Sequence, residues 1–314
     1  MFQIDSTTMS RQVSINSTNC LTTMQLNLDA LDAATLRLIE RDSLSLALVG
    51  CGGTGSWLAP TVVRVARLLT EKFNKTVRLV FVDPDTVEPR NCYRQNFAEF
   101  EVGLNKAEAL AMRYGLSWGM DVLALPTPFD ADLDEVLEEE RHTHYGLSVV
   151  IGCVDNARAR AEIQRYVLEK SGYGAARWWL DCGNDKHSGQ VLVGGFNNKQ
   201  DRKAFPIPGY CSRLPLPTKQ HPELLVEQPV DETPNANLSC ADLALSGAQG
   251  LAVNQQVAAI AGSYLLQMLV YGTLNHFQTY FDQTTGTMRS TPITERVLQK
   301  YLETDETGSG ETIR

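Results

Sequence analysis

Four glycines within eight residues constrain the fold of this chain more than any other feature. The segment 48–55 reads Leu-Val-Gly-Cys-Gly-Gly-Thr-Gly and lies between an apolar run and a segment of helical character. Because glycines have no side chains, backbone N–H groups at the start of the helix can approach a phosphate, which the positive end of the helix dipole also attracts. Alone, the pattern fits a dinucleotide site, a mononucleotide site or a tight structural turn. The residues concerned are Gly50, Gly52, Gly53 and Gly55.

A second polar block favours one of these alternatives. It follows the apolar run 77–82 and reads Asp-Pro-Asp-Thr-Val-Glu-Pro-Arg-Asn-Cys-Tyr-Arg-Gln over residues 83–95. An acid at the end of the second strand, here Asp83, is where nucleotide-binding folds hold a ribose hydroxyl. A nicotinamide site has little use for two cations just beyond that acid, whereas a triphosphate needs them. The block therefore favours ATP, with Arg94 and Lys106 as the cations and Asn91 and Gln95 beside them.

The chain resembles the ThiF/MoeB/HesA family, the bacterial relatives of ubiquitin-activating enzymes, over about residues 42–282. The four blocks of that family occur in order. They are the glycine loop, the block 83–95, Lys106 at the start of a helical segment, and Asp155-Asn156 after the apolar run 147–151. The segment 179–184, Trp-Leu-Asp-Cys-Gly-Asn, and the long polar insert around 198–239 are also similar to the ThiF-like member of plasmid-borne PRTRC gene systems.

This resemblance implies an ATP-dependent adenylyltransferase that activates the C-terminal carboxylate of a ubiquitin-like or sulfur-carrier protein and releases pyrophosphate. It implies that Arg94 and Lys106 meet the β- and γ-phosphates, that Asp155 contacts Mg²⁺, and that the protein is a homodimer. Positioning and charge neutralisation would then supply most of the rate. The implied ATP-binding residues are Gly50, Gly52, Gly53, Gly55, Asp83, Asp85, Asn91, Arg94, Gln95, Lys106, Asp155 and Asn156.

Cys240 matches the position at which ThiF-like enzymes carry the cysteine that links covalently to their partner. It directly precedes an apolar segment predicted to be a helix over 241–271, and a helix N-terminus lowers the pKa of a thiol. Thioester or persulfide transfer through Cys240 would follow adenylation, and a packed small residue is the alternative. Cys182 is a weaker candidate. Many relatives hold zinc through two C-x-x-C pairs, and this sequence has none, so we do not expect zinc.

Several alternatives stay open at this point. Arg94 and Lys106 could be solvated surface charges, and Asp83 and Asp155 could cap helices. The role of Asp85 could be limited to accepting hydrogen bonds from loop N–H groups. An NAD-dependent oxidoreductase would explain the glycines but leave both cations and Asp155 unused. A non-catalytic partner-binding protein that keeps a nucleotide pocket is the third function.

Apolar runs and helical segments alternate between residues 44 and 181, which is typical of a parallel sheet covered by helices on both faces. We therefore predict an α/β fold, with a Rossmann-like, mostly parallel sheet extended by antiparallel strands at 190–196, 276–281 and 287–292. One domain spans 26–301, with a long crossover loop at about 198–239. A flexible arm at 1–25 and a mobile tail at 302–314 flank it. Helical spacing also predicts helices over 26–40 and 132–142.

Composition excludes several classes of function. The net charge of −9 disfavours non-specific nucleic-acid binding, which depends on Lys and Arg. The sequence has no window of ~20 apolar residues that could span a membrane, and its first 25 residues lack the apolar segment of a signal peptide. Seven widely spaced cysteines are more typical of reduced thiols than of disulfides. We predict a cytoplasmic protein that binds neither nucleic acid nor membrane.

Overall fold

A twisted sheet forms the centre of the molecule. Its strands lie side by side in the order 287–292, 276–282, 188–196, 176–184, 147–152, 43–49, 76–82 and 122–125, and a short strand at 213–214 pairs with 188–196. The computed structural model describes residues 12–14, 23–25, 30–133, 136, 146–169, 175–201, 203–227 and 251–306. Within these residues the sheet has nine strands. Its two halves differ in strand direction, and this difference determines where each part of the candidate site lies.

The first half is parallel. It consists of β4 (Ser43–Val49), β5 (Thr76–Val82), β6 (Val122–Leu125), β7 (Leu147–Gly152) and β8 (Ala176–Asn184). β4 lies between β5 and β7, and all these neighbours run in the same direction. The innermost strands are buried on both faces, which explains their continuous apolar sequences. The alternation predicted from the sequence is confirmed.

The second half is antiparallel. β9 (Ser188–Phe196) returns directly from β8, and β12 (His276–Asp282) and β13 (Thr287–Pro292) extend the sheet beyond it. β11 (Arg213–Leu214) pairs with the end of β9. Two smaller sheets are separate: β1 (Gln12–Ser14) with β2 (Thr23–Gln25), and β3 (Thr35–Leu36) with β10 (Tyr210–Cys211).

Helices cover both faces and divide the core into two clusters. On one face lie α1 (Gly53–Phe73), α2 (Lys106–Trp118), α5 (Leu251–Leu266), which continues as a π-helical turn over Gln267–Tyr271, and α6 (Glu295–Glu306). On the other face lie α3 (Ala157–Glu169) and the short α4 (Pro217–Gln220). Trp178 and Trp179, adjacent on β8, are fully buried on opposite faces, so this strand joins the two clusters.

The helix predicted over 26–40 is wrong in the part that the structure describes. There the chain is extended, and β3 pairs in parallel with β10. Leu36 is buried, and its N–H donates to the carbonyl of Leu274, 2.6 Å away, whereas Leu31 is 80% exposed. Helical spacing of the leucines is therefore coincidental, because contacts with distant segments determine the backbone conformation.

Other boundaries differ from those predicted. The described part of the insert 198–239 contains β10, β11, α4 and a 3₁₀ helix over Pro222–Leu225. Ala131–Leu133 is also 3₁₀-helical, and most of the helix predicted over 132–142 lies outside the described residues. α6 continues past the predicted boundary at residue 301. No helix among the described residues is long and apolar enough to cross a membrane.

Candidate active site

A large cavity lies at the carboxyl ends of the parallel strands, where ligands bind in open α/β sheets. Its volume is about 1470 Å³. We call the part lined by the glycine loop and by the segments after β5 and β7 the proximal arm. We call the part lined by residues of the antiparallel half and of the segment 223–226 the distal arm, namely Ser188, Gly189, Gln190, Glu223, Leu224, Val226, Tyr280 and Phe281.

The glycine loop joins β4 to α1 as predicted, and three of its glycines are required by close contacts. Gly50 has a φ of +86°, and a Cβ on it would lie 2.6 Å from the carbonyl oxygen of Cys153. A Cβ on Gly55 would lie 1.9 Å from the carbonyl oxygen of Gly50, and one on Gly53 would lie 2.9 Å from Oδ1 of Asn254. Gly52 occupies the N-cap position of α1, where no side chain caps the helix. The first N–H groups of α1 are thus available to an anion.

Asp83 anchors the loop through its carboxylate. Oδ2 accepts the N–H of Cys51 at 2.6 Å and Oδ1 accepts the N–H of Asp85 at 2.8 Å. Burial raises the pKa of Asp83, and these two hydrogen bonds partly oppose that rise. Asp83 is therefore not a helix cap, and it, rather than Asp85, satisfies the loop N–H groups. Each oxygen keeps a further lone pair, which fits the predicted contact with a ribose hydroxyl.

Lys106 is not a solvated surface charge. Its side chain is 9% exposed, and Nζ lies 2.8 Å from Oδ2 of Asp85, whose side chain is 64% exposed. The preceding residue, Asn105, caps α2 by accepting the N–H groups of Ala107 and Glu108. Asn105 also donates to the carbonyls of Asp83 and Asp85. The cap of α2 therefore holds the lysine and its acidic partner at the edge of the cavity.

Arg94 is a cation of the cavity without a side-chain partner among the described residues. It is half-buried and lines the cavity, and within the described part of the chain its guanidinium forms no hydrogen bond or ion pair. Its carbonyl oxygen accepts Nε1 of Trp57, 3.2 Å away, so α1 holds the backbone in place. By contrast, Arg90 is neutralised by Glu88. A half-buried guanidinium at an open cavity suits a phosphate.

Asn91 and Gln95 are both buried and both line the cavity. Oδ1 of Asn91 accepts the N–H of Glu88 at 2.9 Å, which closes the 3₁₀ helix Pro89–Tyr93. Oε1 of Gln95 has no hydrogen-bond partner within the described chain, although it is inaccessible to solvent. Such an acceptor is costly to bury, by about 1–3 kcal/mol, unless a ligand or a water reaches it.

Asp155 and Asn156 follow β7 and are exposed at the cavity, as the sequence predicts. The alternative role of Asp155 as the cap of the next helix is wrong. Asn156 caps α3, because its Oδ1 accepts the N–H of Ala159 at 2.8 Å. The Asp155 carboxylate accepts only a long 3.4 Å contact from Asn156 among its described contacts. It therefore keeps lone pairs for a cation.

Cys240 lies outside the described residues, as does the first part of the helix predicted over 241–271. The weaker candidate, Cys182, is 2% exposed, and its contact with the Cys153 thiol together with burial raises the pKa of Cys182 well above its ordinary range. Cys182 is thus a poor nucleophile at neutral pH. The described cysteines are all unpaired by disulfides, in agreement with the sequence analysis. They are Cys51, Cys92, Cys153, Cys182 and Cys211.

Sequence reasoning missed a polar cluster beneath the glycine loop and nearly all of the distal arm. Asn254, on α5, is fully buried, and its Oδ1 accepts Nδ2 of Asn184 at 3.0 Å and the hydroxyl of Thr54 at 3.4 Å. Asn184 ends β8 within the block 179–184, which was the available signal. The sequence pattern does not indicate Asn254, because it is a polar residue within a largely apolar segment.

Comparison with known proteins identifies the family. The ThiF family profile matches residues 23–297. The chain belongs to the ThiF family. Among solved structures, PaaA is 17% identical with a TM-score of 0.50, covering 79% of this chain and 64% of PaaA. E. coli MccB in complex with AMPCPP and MccA is 15% identical with a TM-score of 0.49, covering 79% and 63%. A search of curated proteins found no match.

Membership of the ThiF family confirms the family predicted from the four sequence blocks. The likeness to PaaA confirms the Rossmann-like α/β fold. This chain spans less than two thirds of the length of these structural neighbours. The PRTRC subgroup and the individual roles of the site residues stay predictions. The structure adds that the four ThiF blocks, far apart in sequence, face one cavity.

Proposed function

We propose that this chain is an ATP-dependent adenylyltransferase that activates the C-terminal carboxylate of a small ubiquitin-like or sulfur-carrier protein. A carboxylate oxygen attacks the α-phosphorus of ATP, the bond from that phosphorus to the oxygen bridging to the β-phosphate breaks, and pyrophosphate leaves. The acyl-adenylate is the product. The carrying observation is the convergence on one cavity of three groups: a helix N-terminus and an Arg94 guanidinium that have no side-chain partner within the described chain, and the exposed carboxylate of Asp155.

Each group of the proximal arm has a physical role in this proposal. The α1 N-terminus and Arg94 supply positive potential to the phosphates, and Lys106 adds a charge already held in place by Asp85. The lone pairs left on Asp83 receive a ribose hydroxyl. Gln95 and Asn91 fix orientation. Most of the acceleration then comes from positioning and from charge neutralisation at the leaving pyrophosphate.

The acidic groups fit one magnesium ion held jointly with phosphate. Within the described chain no three His, Cys, Asp or Glu side chains cluster to form a metal site from protein groups alone. Mg²⁺ in nucleotide enzymes uses only one or two carboxylates and completes its shell with phosphate oxygens and water. One carboxylate, that of Asp155, is therefore enough for such a site. The ion, when bound, supplies further neutralisation of phosphate charge.

We propose that Cys240 acts after adenylation, as the thiol that accepts the acyl group or takes part in persulfide transfer. The attacking thiolate would form a bond to the acyl carbon, and AMP would leave with the electrons of the broken acyl–phosphate bond. Cys240→Ser should leave adenylation intact and abolish a covalent adduct that thiols reverse. Mass spectrometry of the intact protein after incubation with ATP and partner tests this step.

The test of adenylation is exchange of labelled pyrophosphate into ATP in the presence of Mg²⁺. The acceptors are a panel of small ubiquitin-like and sulfur-carrier proteins ending in Gly-Gly and a pool of synthetic heptapeptides with free carboxyl termini. We expect acceptor-dependent exchange that falls at least about 100-fold in Arg94→Ala and Asp155→Ala. The control is Arg67→Ala, which removes an exposed ion pair on α1.

Other results would point to the alternatives. Binding of NAD without binding of ATP would indicate the oxidoreductase. Binding of ATP with no exchange for any acceptor would indicate a nucleotide-binding partner protein. A gene beside this one that encodes a small protein with a Gly-ending tail would favour the PRTRC subgroup and identify the acceptor.

We also propose that the protein is a homodimer. The segment between β5 and α2 carries exposed apolar side chains, among them Phe100, which is 80% exposed, and Tyr93, Val102 and Leu104. Neighbouring exposed apolar groups are typical of an interface. Light scattering coupled to size-exclusion chromatography should report a dimer for the wild-type protein and a monomer for Phe100→Asp.

A further inference from the structure

Glu223 and Tyr280 of the distal arm are joined through His221 in a continuous hydrogen-bonded line that the proposed chemistry does not use. Oε1 of Glu223 lies 2.7 Å from Nδ1 of His221, and Nε2 of His221 lies 2.5 Å from the hydroxyl of Tyr280. The imidazole and phenol rings also meet edge to face, with centroids 5.6 Å apart. Glu223 and Tyr280 line the cavity that contains the glycine loop.

Gln220 fixes the position of this hydrogen-bonded line. Gln220, immediately before His221, donates from Nε2 to the carbonyls of Val193 and Pro215, at 2.9 and 2.7 Å. Its Oε1 accepts Nε2 of Gln278, a buried residue of β12, at 3.1 Å. These hydrogen bonds tie the segment that carries His221 to β9 and to β12, the strand that carries Tyr280. The three groups are a built feature of the fold rather than a chance contact of loops.

The carboxylate of Glu223 selects one tautomer of His221. The hydrogen bond from His221 lowers the pKa of Glu223, so the carboxylate is ionised and only accepts. The tautomer with its proton on Nδ1 satisfies that carboxylate, and in this tautomer Nε2 accepts the hydroxyl proton of Tyr280. Burial raises the pKa of Tyr280 to about 12, so the phenol keeps that proton at neutral pH. The phenol oxygen retains lone pairs and no free proton.

The sheet backbone at this place has no free groups to recognise a chain. β12 lies between β9 and β13 and pairs with both, so Tyr280 faces Gln190 on one side and Arg289 on the other. Its N–H and C=O groups are used within the sheet. Recognition by Tyr280 then depends on its side chain, and a hydroxyl that only accepts would select a donor.

We propose that Tyr280 is a specificity-determining residue that accepts a backbone N–H from the C-terminal segment of the polypeptide substrate. Glu223 and His221 are positioning residues that keep the hydroxyl proton turned away from the substrate. The inference rests on the proposed function, since it assumes a polypeptide whose carboxyl end lies in the proximal arm. It adds the contact that orients the segment before that carboxylate.

The experiment uses the full chain and the synthetic heptapeptide pool, with pyrophosphate exchange as the readout. For a peptide that supports exchange, Tyr280→Phe should raise the KM for peptide about tenfold, because one hydrogen bond is lost. The KM for ATP and kcat should stay within about twofold. Tyr271→Phe, an exposed tyrosine outside the cavity, is the control. His221→Ala should reproduce part of the effect and His221→Gln should restore it, because an amide oxygen can accept the hydroxyl proton.

A scan with singly N-methylated peptides distinguishes recognition from a structural role. One position should lose about tenfold in wild type and nothing further in Tyr280→Phe, since both changes remove the same hydrogen bond. An unchanged KM in Tyr280→Phe, or losses that multiply at every position, would overturn the inference. If no acceptor of any kind supports exchange with wild-type protein, the failure is that of the proposed function itself.

Discussion

The two arms of the cavity are built on opposite principles. The proximal arm lies where parallel strands end, so its functional side chains come from short blocks that directly follow β4, β5 and β7. The distal arm lies on antiparallel strands and brings together residues as distant as His221 and Tyr280, 59 positions apart. Parallel topology thus places polar side chains at predictable points of a sequence, whereas the antiparallel extension combines side chains that are far apart along the chain.

Two buried carboxylates near the cavity also differ in their hydrogen-bond partners. Asp83 in the proximal arm accepts two backbone N–H groups. Asp181, beside the distal arm, faces Nε of Arg160 at 3.3 Å, and its second oxygen has no hydrogen-bond partner within the described chain. Burial raises the pKa of both carboxyls. The carboxylate of Asp83 is therefore held by backbone N–H groups, and that of Asp181 is held by one ion pair.

The largest effect should come from adding a methyl group to the glycine loop of the proximal arm. Gly55→Ala places a Cβ 1.9 Å from the Gly50 carbonyl oxygen, and neither backbone segment can move without distorting the loop. We expect a loss of stability above about 3 kcal/mol or no folded protein. Urea denaturation measures it. Gly209→Ala is the matched control, because Gly209 has a φ of +78° but no atom within 4 Å of a Cβ, so it should cost only about 1–2 kcal/mol.

The second prediction separates the functions of the two arms. Lys106→Met should weaken ATP binding by about 100-fold, because it removes a cation already positioned for phosphate, and should leave the KM for the acceptor nearly unchanged. This is the reverse of the Tyr280→Phe pattern. Calorimetric titration with ATP measures the binding, and Lys75→Met, at a partly exposed ion pair outside the cavity, is the control. Equal losses for ATP and acceptor would mean that the arms do not act separately.

The same division explains what could be predicted from the sequence. The glycine loop, Asp83 and Asp155 could be predicted because each follows a strand, and Lys106 because it begins a helix in the family pattern. The ion pair of Lys106 with Asp85 and the capping of α3 by Asn156 were missed, because spacing does not show which of two adjacent polar residues turns toward a helix end. The extended chain at Thr35–Leu36 was missed because its partner strand lies at Tyr210–Cys211.

A third, smaller effect should appear in the polar cluster beneath the glycine loop. Asn254→Ala removes the acceptor of Asn184 Nδ2 and of the Thr54 hydroxyl, at 3.0 and 3.4 Å. We expect a loss of about 1–2 kcal/mol in the free energy of unfolding, with Asn275→Ala at an exposed position as the control. Because a Cβ on Gly53 would meet the Asn254 amide, Gly53→Ala should cost less in the Asn254→Ala background. Strict additivity would contradict this contact.

The smallest effect is a difference in pH dependence at Asp181. Its folded pKa is raised by burial, more than Arg160 lowers it, so between the unfolded and folded pKa values the folded chain holds more protons than the unfolded chain. The contribution of Asp181 to stability is then greatest below the unfolded value of ~4 and falls as pH rises through this window. Asp181→Asn keeps the shape and the acceptor for Arg160 but cannot ionise.

The asparagine variant should therefore gain stability relative to wild type as pH rises from about 4 toward neutrality, and the gain should level off above the folded pKa. Urea midpoints at several pH values measure the difference, and Asp185→Asn controls for the loss of one surface charge. Asp83→Asn should behave otherwise: with one carbonyl oxygen it can serve only one of the two N–H groups, and it should lose stability at neutral pH. An Asp181→Asn variant that weakens as pH rises would show that the ion pair with Arg160 outweighs burial.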